Sequence, residues 1–149
     1  GIKMFAGRYE YAIDDKSRVS IPSKFREILS TKYDMRLVLT NLDGCIVAYP
    51  YQEWVNIQEN ISKKEQINKD ARTFLRYFYS GVTECPIDKL GRVLLPQSLK
   101  TDAMIKKNVV IIGMGKKIEI WAKEIWEELV RKATSDPDKI ADIVSELGL

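Results

Sequence analysis

Residues 13–22 read IDDKSRVSIP, and residues 87–96 read IDKLGRVLLP. Both stretches follow the pattern Ile-Asp-x-x-x-Arg-Val-x-x-Pro. When residues 7–22 are aligned with residues 81–96, at an offset of 74 positions, seven of the sixteen residues are identical. Self-similarity at a fixed offset is typical of duplicated structural units. We therefore predict two copies of one small unit in a chain of 149 residues, a length that suits one domain or two very small ones.

The similarity extends beyond the repeated motif. At an offset of 72 positions, residues 37–39 (LVL) correspond to residues 109–111 (VVI), and Trp54 corresponds to Trp126. We therefore predict a first unit, a linker helix region, a second unit and a C-terminal helical tail. Their predicted boundaries are 8–55, 56–83, 84–127 and 128–149, in that order.

Each unit has the pattern of a strand, a turn at the Asp-x-x-x-Arg motif and a second strand. The second strand has alternating apolar positions, at Val19 and Ile21 in one copy and at Val93 and Leu95 in the other. This alternation is typical of a half-buried strand. A proline then begins a short helix, where its missing N–H costs little. Two further apolar strands follow, so the predicted fold is a β-rich α+β fold with the order strand, strand, helix, strand, strand in each copy.

Two further segments have the apolar spacing of a helix with one buried face. The apolar positions are Ala71, Phe74, Leu75 and Phe78 between the units, and Ile140, Ile143, Val144 and Leu147 in the C-terminal tail. A terminal helix this short needs a packing partner to be stable. Either its own domain or a neighbouring subunit could provide that partner.

The net charge of +3 is unevenly distributed along the chain. Residues 1–122 carry 20 basic and 14 acidic side chains, whereas residues 123–149 carry four basic and seven acidic ones. A modestly basic body is compatible with a phosphate-binding face, although most surfaces of this kind are simply solvated. The charge therefore permits a nucleic-acid partner without requiring one.

The composition disfavours several classes of function. The chain has two cysteines without CxxC spacing and no histidine, which argues against a zinc site, a disulfide framework and catalysis by histidine. Asp14 and Asp15 would point apart on a strand, so they do not form an acid–base pair. No apolar run approaches the roughly 18–20 residues of a membrane span, and no secretory signal is evident. We expect an intracellular protein that is not an enzyme, needs no cofactor and binds neither a membrane nor a small-molecule substrate.

The spacing of Asp14 and Arg18, repeated by Asp88 and Arg92, has two interpretations. In the structural one, the two side chains flank a tight turn and pair across it, with the guanidinium fork gripping the carboxylate in a bidentate manner. In the functional one, the carboxylate supports an arginine and neighbouring lysines that face a phosphate backbone. The residues alone favour the structural interpretation, because exposed charged turns are common. The two interpretations are compatible.

The repeated motif and its surroundings resemble the MraZ family. The similar stretches are GRYE at 7–10, IDDKSRVSIP at 13–22, LDGCIVAYPYQEW at 42–54, ARTFLRYFYSG at 71–81 and DKLGRVLLP at 88–96. The resemblance covers about residues 4–128. It implies two tandem AbrB-like (SpoVT-AbrB) units whose swapped hairpins interlock into a double-split β-barrel with flanking helices.

The resemblance also implies a function and a set of contacts. Members of the family are transcriptional regulators of the bacterial division and cell-wall gene cluster, and we predict that this chain represses that cluster in the cytoplasm and nucleoid. They assemble into homo-oligomeric rings that bind direct repeats in double-stranded DNA upstream of the cluster. The predicted DNA contacts are Lys16, Arg18, Lys89 and Arg92, and the residues that support them are Asp14 and Asp88.

Two residues depart from the family pattern. Ser17 stands where glycine is usual, and Gly91 keeps that glycine in the second copy. Because glycine adopts a positive φ without strain, Ser17 predicts either a strained turn or a turn of a different type. Leu90 lacks the charge that Lys16 supplies, so the second copy is expected to contact DNA less strongly or differently.

A function from a different class stays open on the sequence alone. An AbrB-like fold could also serve as a protein-interaction or scaffold module, either antitoxin-like or ring-forming, because a fold does not fix a function. DNA binding that weakens with salt would favour the regulator over the scaffold.

Overall fold

A computed structural model describes residues 4–149, which contain eight strands and six helices. The strands are β1 (Arg8–Ala12), β2 (Arg18–Ser20), β3 (Arg36–Leu42), β4 (Cys45–Pro50), β5 (Thr83–Pro86), β6 (Arg92–Leu94), β7 (Asn108–Gly113) and β8 (Ile118–Ala122). The helices are α1 (Ser23–Lys32), α2 (Tyr51–Ser62), α3 (Lys69–Ser80), α4 (Gln97–Asp102), α5 (Lys123–Ala133) and α6 (Pro137–Leu147). Each half contains strand, strand, helix, strand, strand, which confirms the predicted order, and two further helices follow.

The helix starts differ slightly from the sequence expectation. Pro22 and Pro96 lie just before α1 and α4, at the N-cap position rather than at the first helical position. Because a residue outside the helix has no helical hydrogen bond to donate, the missing N–H of proline is tolerated there as well. α2 begins at Tyr51, inside the predicted first unit, and ends at Ser62 in the predicted linker region. The predicted boundary at residue 55 therefore lies within a continuous helix.

The two halves interlock through the main sheet, whose strand order is β1-β7-β8-β4-β3-β5. β1 pairs antiparallel with β7, and β5 pairs antiparallel with β3. The first strand of each half therefore joins the hairpin of the other half. The fold is a mixed, sheet-rich α+β fold. Within residues 4–149, the ladders leave β1 and β5 as the edges of the sheet and close no barrel.

A pseudo-two-fold axis relates the halves. β2 and β6 form a separate two-stranded ribbon in which Val19 faces Val93, 74 positions later in the chain. In the main sheet, β4 pairs with β8 so that Val47 faces Glu119, 72 positions later. Equivalent residues of the two copies thus face each other in both sheets, at the two offsets found in the sequence. Contacts of this isologous kind are expected when a duplicated unit packs against its own copy.

The main core contains buried side chains from both halves and both sheets. The alternating apolar positions of the two strands predicted to be half-buried are all buried, namely Val19, Ile21, Val93 and Leu95. Phe25 of α1 and Leu99 of α4 pack into the same cluster. Burial of one large apolar side chain contributes about 1.5–3 kcal/mol to stability. This shared core therefore stabilises the two halves together rather than separately.

Helices α3 and α6 differ in how far their apolar faces are buried. Phe78 of α3 is buried with Tyr49, and Trp54 packs against both, as the helical spacing of Phe78 predicts. Phe74, one turn earlier, is exposed instead. α6 has no buried residue. Its exposed apolar positions are Ile143, Val144 and Leu147. The rest of the described chain therefore does not cover the apolar face of α6.

Candidate nucleic-acid interface

The β2–β6 ribbon has one buried face and one outward face. Val19 and Val93 point into the core, and each has 1% of its surface exposed. Successive side chains of a strand point to opposite sides. The outward face therefore carries Arg18 paired with Leu94 and Ser20 paired with Arg92. Two arginines, one from each copy, lie diagonally across a narrow antiparallel ribbon.

The first turn is built around the carboxylate of Asp14. Its Oδ1 accepts hydrogen bonds from the backbone N–H groups of Lys16 and Arg18, at 2.9 and 2.8 Å. Its Oδ2 accepts a hydrogen bond from Nε of Arg18 at 2.7 Å. The N–H of Ser17 donates to the carbonyl of Asp14 at 3.0 Å. Asp14 therefore holds both the backbone of the turn and the arginine that follows it.

The second turn repeats this geometry around Asp88. Its Oδ1 accepts hydrogen bonds from the N–H groups of Leu90 and Arg92, at 2.9 and 2.8 Å. Its Oδ2 accepts a hydrogen bond from Nε of Arg92 at 3.0 Å. The N–H of Gly91 donates to the carbonyl of Asp88 at 3.0 Å. The pairing of aspartate and arginine across a turn, expected from the four-residue spacing, is present in both copies.

The hydrogen bonds to these carboxylates favour their charged forms. The backbone N–H of Arg18 is the main cause of a lowered pKa of Asp14, and the side chain of Arg18 and the N–H of Lys16 act in the same direction. The backbone N–H of Arg92, followed by its side chain, likewise lowers the pKa of Asp88. Both aspartates are therefore ionised at neutral pH and hold the arginines in place.

The arginines use only part of their guanidinium groups in these contacts. Arg18 and Arg92 each donate from Nε to a single carboxylate oxygen, because backbone amides occupy the other oxygen. The expectation of a bidentate grip on the carboxylate is therefore wrong. Within residues 4–149, neither arginine makes a hydrogen bond through its terminal Nη1 or Nη2 atom. Each arginine thus presents the end of a planar fork that suits a phosphate or a base edge.

Lys16 and Lys89 are both exposed, but they do not occupy equivalent positions. The residue that corresponds to Lys16 in the second copy is Leu90, which has 71% of its surface exposed. Lys89 directly follows Asp88 and lies one position earlier in its turn. The two turns therefore differ in charge at the same position.

Ser17 and Gly91 adopt the same left-handed backbone, with φ of 63° and 80°. Of the two expectations for Ser17, the strained turn is observed and a different turn type is not. Sequence reasoning missed the side chain that contacts this serine. Lys100 of α4 donates from Nζ to Oγ of Ser17 at 2.6 Å, across 83 residues of sequence. The only indication in the sequence was that Lys100 lies 74 positions after Arg26, a second basic residue.

A groove of about 570 Å³ lies beside the ribbon. Its lining includes apolar atoms of Cys85, Leu94 and Pro96, and the polar side chains of Arg18 and Arg92. Burial raises the pKa of Cys85 to about 11, so its thiol is protonated at neutral pH. The groove therefore gives the arginine face a concave surface, but it contains no reactive thiolate.

Other chemical features of the described chain are few. Cys45 and Cys85 are buried free thiols. Across residues 4–149, no three metal-binding side chains come together in one group. None of the helices in that range has the length and apolar character that crossing a membrane requires.

Comparison with known proteins identifies the family. A family model described as "MraZ protein, putative antitoxin-like" matches residues 4–77 and matches again at residues 78–142. The chain belongs to the MraZ family. Each MraZ match contains one Asp-x-x-x-Arg turn, and the boundary between the matches falls inside α3 (Lys69–Ser80). The tandem arrangement of two MraZ domains is therefore established.

Relatives in the MraZ family match over their full length. The chain is 45% identical over 146 residues to the transcriptional regulator MraZ of Clostridium tetani. It is 44% identical over 147 residues to that of Caldanaerobacter subterraneus subsp. tengcongensis, and 41% identical over 146 residues to that of Caldicellulosiruptor saccharolyticus. Each alignment covers 98% of this chain and 100% of the relative.

Proposed function

We propose that this chain is a sequence-specific DNA-binding transcriptional regulator that represses the bacterial division and cell-wall gene cluster. The observation that carries the proposal is the pair of arginines on the outward face of the β2–β6 ribbon, each held at Nε with its terminal nitrogens unused within residues 4–149. The relatives' name, transcriptional regulator, supports the regulatory part of the proposal. The target cluster comes from the family resemblance.

The ribbon suits the major groove of DNA. A two-stranded antiparallel ribbon is narrow enough to enter that groove, where base pairs are distinguishable by their donor and acceptor patterns. Diagonal neighbours of a ladder lie about 7–8 Å apart, so Arg18 and Arg92 would reach positions in the same groove. A guanidinium with two free parallel donors matches O6 and N7 of guanine. We therefore assign base reading to the two arginines.

The lysines and aspartates have different roles in this proposal. Lys16 and Lys89 are exposed point charges beside the ribbon, which suits contacts with phosphates that position the protein without reading sequence. Asp14 and Asp88 would repel phosphates if they were free, but their oxygens are occupied by backbone N–H groups and by arginine. We therefore assign them the role of supporting the arginines and the turns.

We further propose that copies of the chain assemble into a homo-oligomeric ring on direct repeats of double-stranded DNA, in the cytoplasm and nucleoid. The exposed apolar face of α6 supports association, because an unpartnered amphipathic helix of this length is marginal in water. In this proposal, the swapped hairpins and the β2–β6 ribbon correspond to the double-split barrel of AbrB-like units. Several turns bound to successive repeats would raise the avidity through effective concentration.

The test is binding of two duplexes of equal length, one from the region upstream of the division cluster and one with the same bases in scrambled order. We expect tighter binding of the upstream duplex and loss of that preference in Arg18→Ala. The control is Arg131→Ala, which removes an exposed ion pair with Glu128 on α5, at 2.6 Å. Equal binding of both duplexes would exclude sequence specificity, and binding of neither would exclude a DNA function.

The scaffold module remains the second candidate because the exposed apolar positions of α3 and α6 could bind a protein instead of another copy. A scaffold would keep its assembly in Arg18→Ala and would show no salt-dependent affinity for either duplex. The same two measurements therefore separate the candidates.

A further inference from the structure

We propose that Lys100 is a positioning residue for the first DNA-facing turn, and that the second copy thereby sets the geometry of the first. The inference rests on the proposed function, because it concerns how the arginine face is held. It starts from one contact that joins residues of different copies, the hydrogen bond from Nζ of Lys100 to Oγ of Ser17 at 2.6 Å.

Lys100 is an unusual residue in this contact because its side chain is buried, with 9% of the residue surface exposed. A buried ammonium group is costly unless it is paired or hydrogen-bonded. Within residues 4–149, Nζ of Lys100 has the Ser17 hydroxyl as its hydrogen-bond partner and no carboxylate within ion-pair distance. The contact therefore constrains both residues, since Lys100 has no second partner in the described chain to replace Ser17.

The backbone conformation of Ser17 depends on the contacts around it. Its φ of 63° is a conformation that residues other than glycine avoid, so the turn needs outside contacts to hold it. The carbonyl of Ser17 accepts the N–H of Leu95 at 2.8 Å, which fixes the end of the β2–β6 ribbon. Arg18 is the next residue, and its N–H is bound by Asp14. A displacement of Ser17 would therefore move Arg18 relative to the ribbon.

The symmetry-related contact at the other turn has different chemistry. Arg26 of α1, the equivalent of Lys100, lies against Gly91, the equivalent of Ser17. A Cβ atom built on Gly91 would lie 2.7 Å from both Cζ and Nε of Arg26, which is closer than real Cβ contacts. The guanidinium group of Arg26 is also held by a hydrogen bond from Nε to the carbonyl of Ile21 at 3.1 Å.

The two turns thus use two different pairs, lysine with serine and arginine with glycine. The smaller ammonium group leaves room for a serine side chain and binds its hydroxyl, whereas the guanidinium group fills the space that a side chain would need. In both pairs the basic residue belongs to the helix of the opposite copy. Each copy therefore positions the DNA-facing turn of the other.

The first test removes the ammonium group and keeps the length of the side chain, in Lys100→Met. A hydrogen bond to a charged group contributes a factor of roughly ten to an equilibrium, so we expect hydrogen exchange of the Lys16 and Arg18 amides to become about tenfold faster. The amides of Leu90 and Arg92, bound in the same way in the second turn, are the internal control and should not change. Equal acceleration in both turns, or no change in the first, would overturn the proposal.

The second test exchanges the pairs. Lys100→Arg alone should disturb the first turn, because its guanidinium group would meet the serine side chain. The double variant Lys100→Arg/Ser17→Gly recreates the pair of the other copy and should restore exchange of the first-turn amides to within about twofold of the original chain. Tolerance of Lys100→Arg without the glycine, or no rescue by it, would contradict the proposed fit.

The equivalent experiment in the second turn uses Gly91→Ser, which should disturb the turn through its φ of 80° and through the contact with Arg26, and adding Arg26→Lys should relieve the part that is due to the contact. Affinity for the upstream duplex is then measured on the same variants, and we expect it to fall at least about fivefold in Lys100→Met, since the strained turn loses its support. Unchanged affinity together with faster exchange would show that Lys100 supports the turn without affecting the DNA contact, and would overturn the positioning role. If the unchanged chain binds neither duplex, the proposed function fails, while the exchange measurements still decide the pairing of Lys100 with Ser17.

Discussion

Arg18 and Arg92 lie diagonally across the β2–β6 ribbon on its outward face, and each is held through Nε by the aspartate four residues before it. The pseudo-two-fold axis passes between them, because Val19 faces Val93 at the centre of the same ribbon. This pseudo-two-fold symmetry places the equivalent arginines of the two copies on one surface. It is the basis of the predictions about DNA binding.

We predict that Arg18→Ala keeps the fold and the oligomer but abolishes detectable specific DNA binding. The ion pair with Asp14 is only half-buried, with 28 and 32% of the two side chains exposed, and backbone N–H groups still bind Asp14 in the variant, so the melting temperature should change by no more than about 3 °C. Arg92→Ala should have a milder effect on binding, because Leu90 leaves the second turn less basic. The measurements are melting temperature, oligomer size and affinity for the upstream duplex, on both variants and on Arg131→Ala. Unchanged binding with a lowered melting temperature would show that the arginine serves only the turn.

DNA affinity should fall steeply with salt. The proposed contacts are lysines and arginines, and each phosphate that they neutralise releases counterions, with a slope of about −0.9 per contact in a log–log plot. Lys16→Ala should reduce the magnitude of that slope by about one unit for each subunit whose first turn contacts DNA. The preference for the upstream duplex should stay intact. A flat dependence between low and physiological salt would contradict the DNA interface.

Leu90→Lys should strengthen DNA binding. The substitution places at the second turn the charge that Lys16 supplies at the first, and Leu90 is exposed, so a lysine can be accommodated without loss of core packing. We expect higher affinity for both duplexes and a steeper salt slope, because a phosphate contact is blind to sequence. The matched control is Met114→Lys, which adds the same charge at the exposed turn between β7 and β8. An equal gain in both variants would mean that net charge alone is responsible.

Low pH should lower the stability that the two Asp-x-x-x-Arg turns contribute to the fold. The pKa values of Asp14 and Asp88 are lowered in the folded protein, chiefly by the backbone N–H groups of Arg18 and Arg92. A carboxylate whose pKa is lower in the folded state contributes stability above its unfolded pKa, and this contribution is lost as the pH falls through the folded pKa. We expect the melting temperature of the native chain to exceed that of Asp14→Asn/Asp88→Asn at neutral pH, and the difference to shrink below about pH 4. A difference that is independent of pH down to full acid unfolding would contradict the assignment.

The apolar face of α6 should hold copies of the chain together. Ile143→Glu places a charge on the exposed apolar face and should lower the molar mass measured by light scattering at micromolar concentration. Ser145→Glu adds the same charge on the other side of the helix and should leave the assembly unchanged. A native chain that is already monomeric at that concentration would refute the proposed ring.

The sequence by itself determined the local structure of this protein. The alternation around Val19 and Val93 predicts two half-buried strands, because successive side chains of a strand face opposite sides. The four-residue spacing of aspartate and arginine predicts a paired turn, because it brings the two groups within reach across a tight reversal. The offset of 74 positions predicts a duplicated unit, and the structure pairs equivalent residues at that offset.

Contacts between distant segments were decided by the tertiary structure alone. Local pattern does not say whether β1 pairs with the hairpin of its own copy or with that of the other, because the two hairpins have nearly the same apolar pattern. The β2–β6 ribbon and the shared core settle this choice together, since they bring the two copies face to face. The same packing places Lys100 on Ser17 and leaves Phe74 exposed although its spacing predicts burial. These outcomes depend on which surfaces meet in three dimensions, and a one-dimensional period contains no information about that.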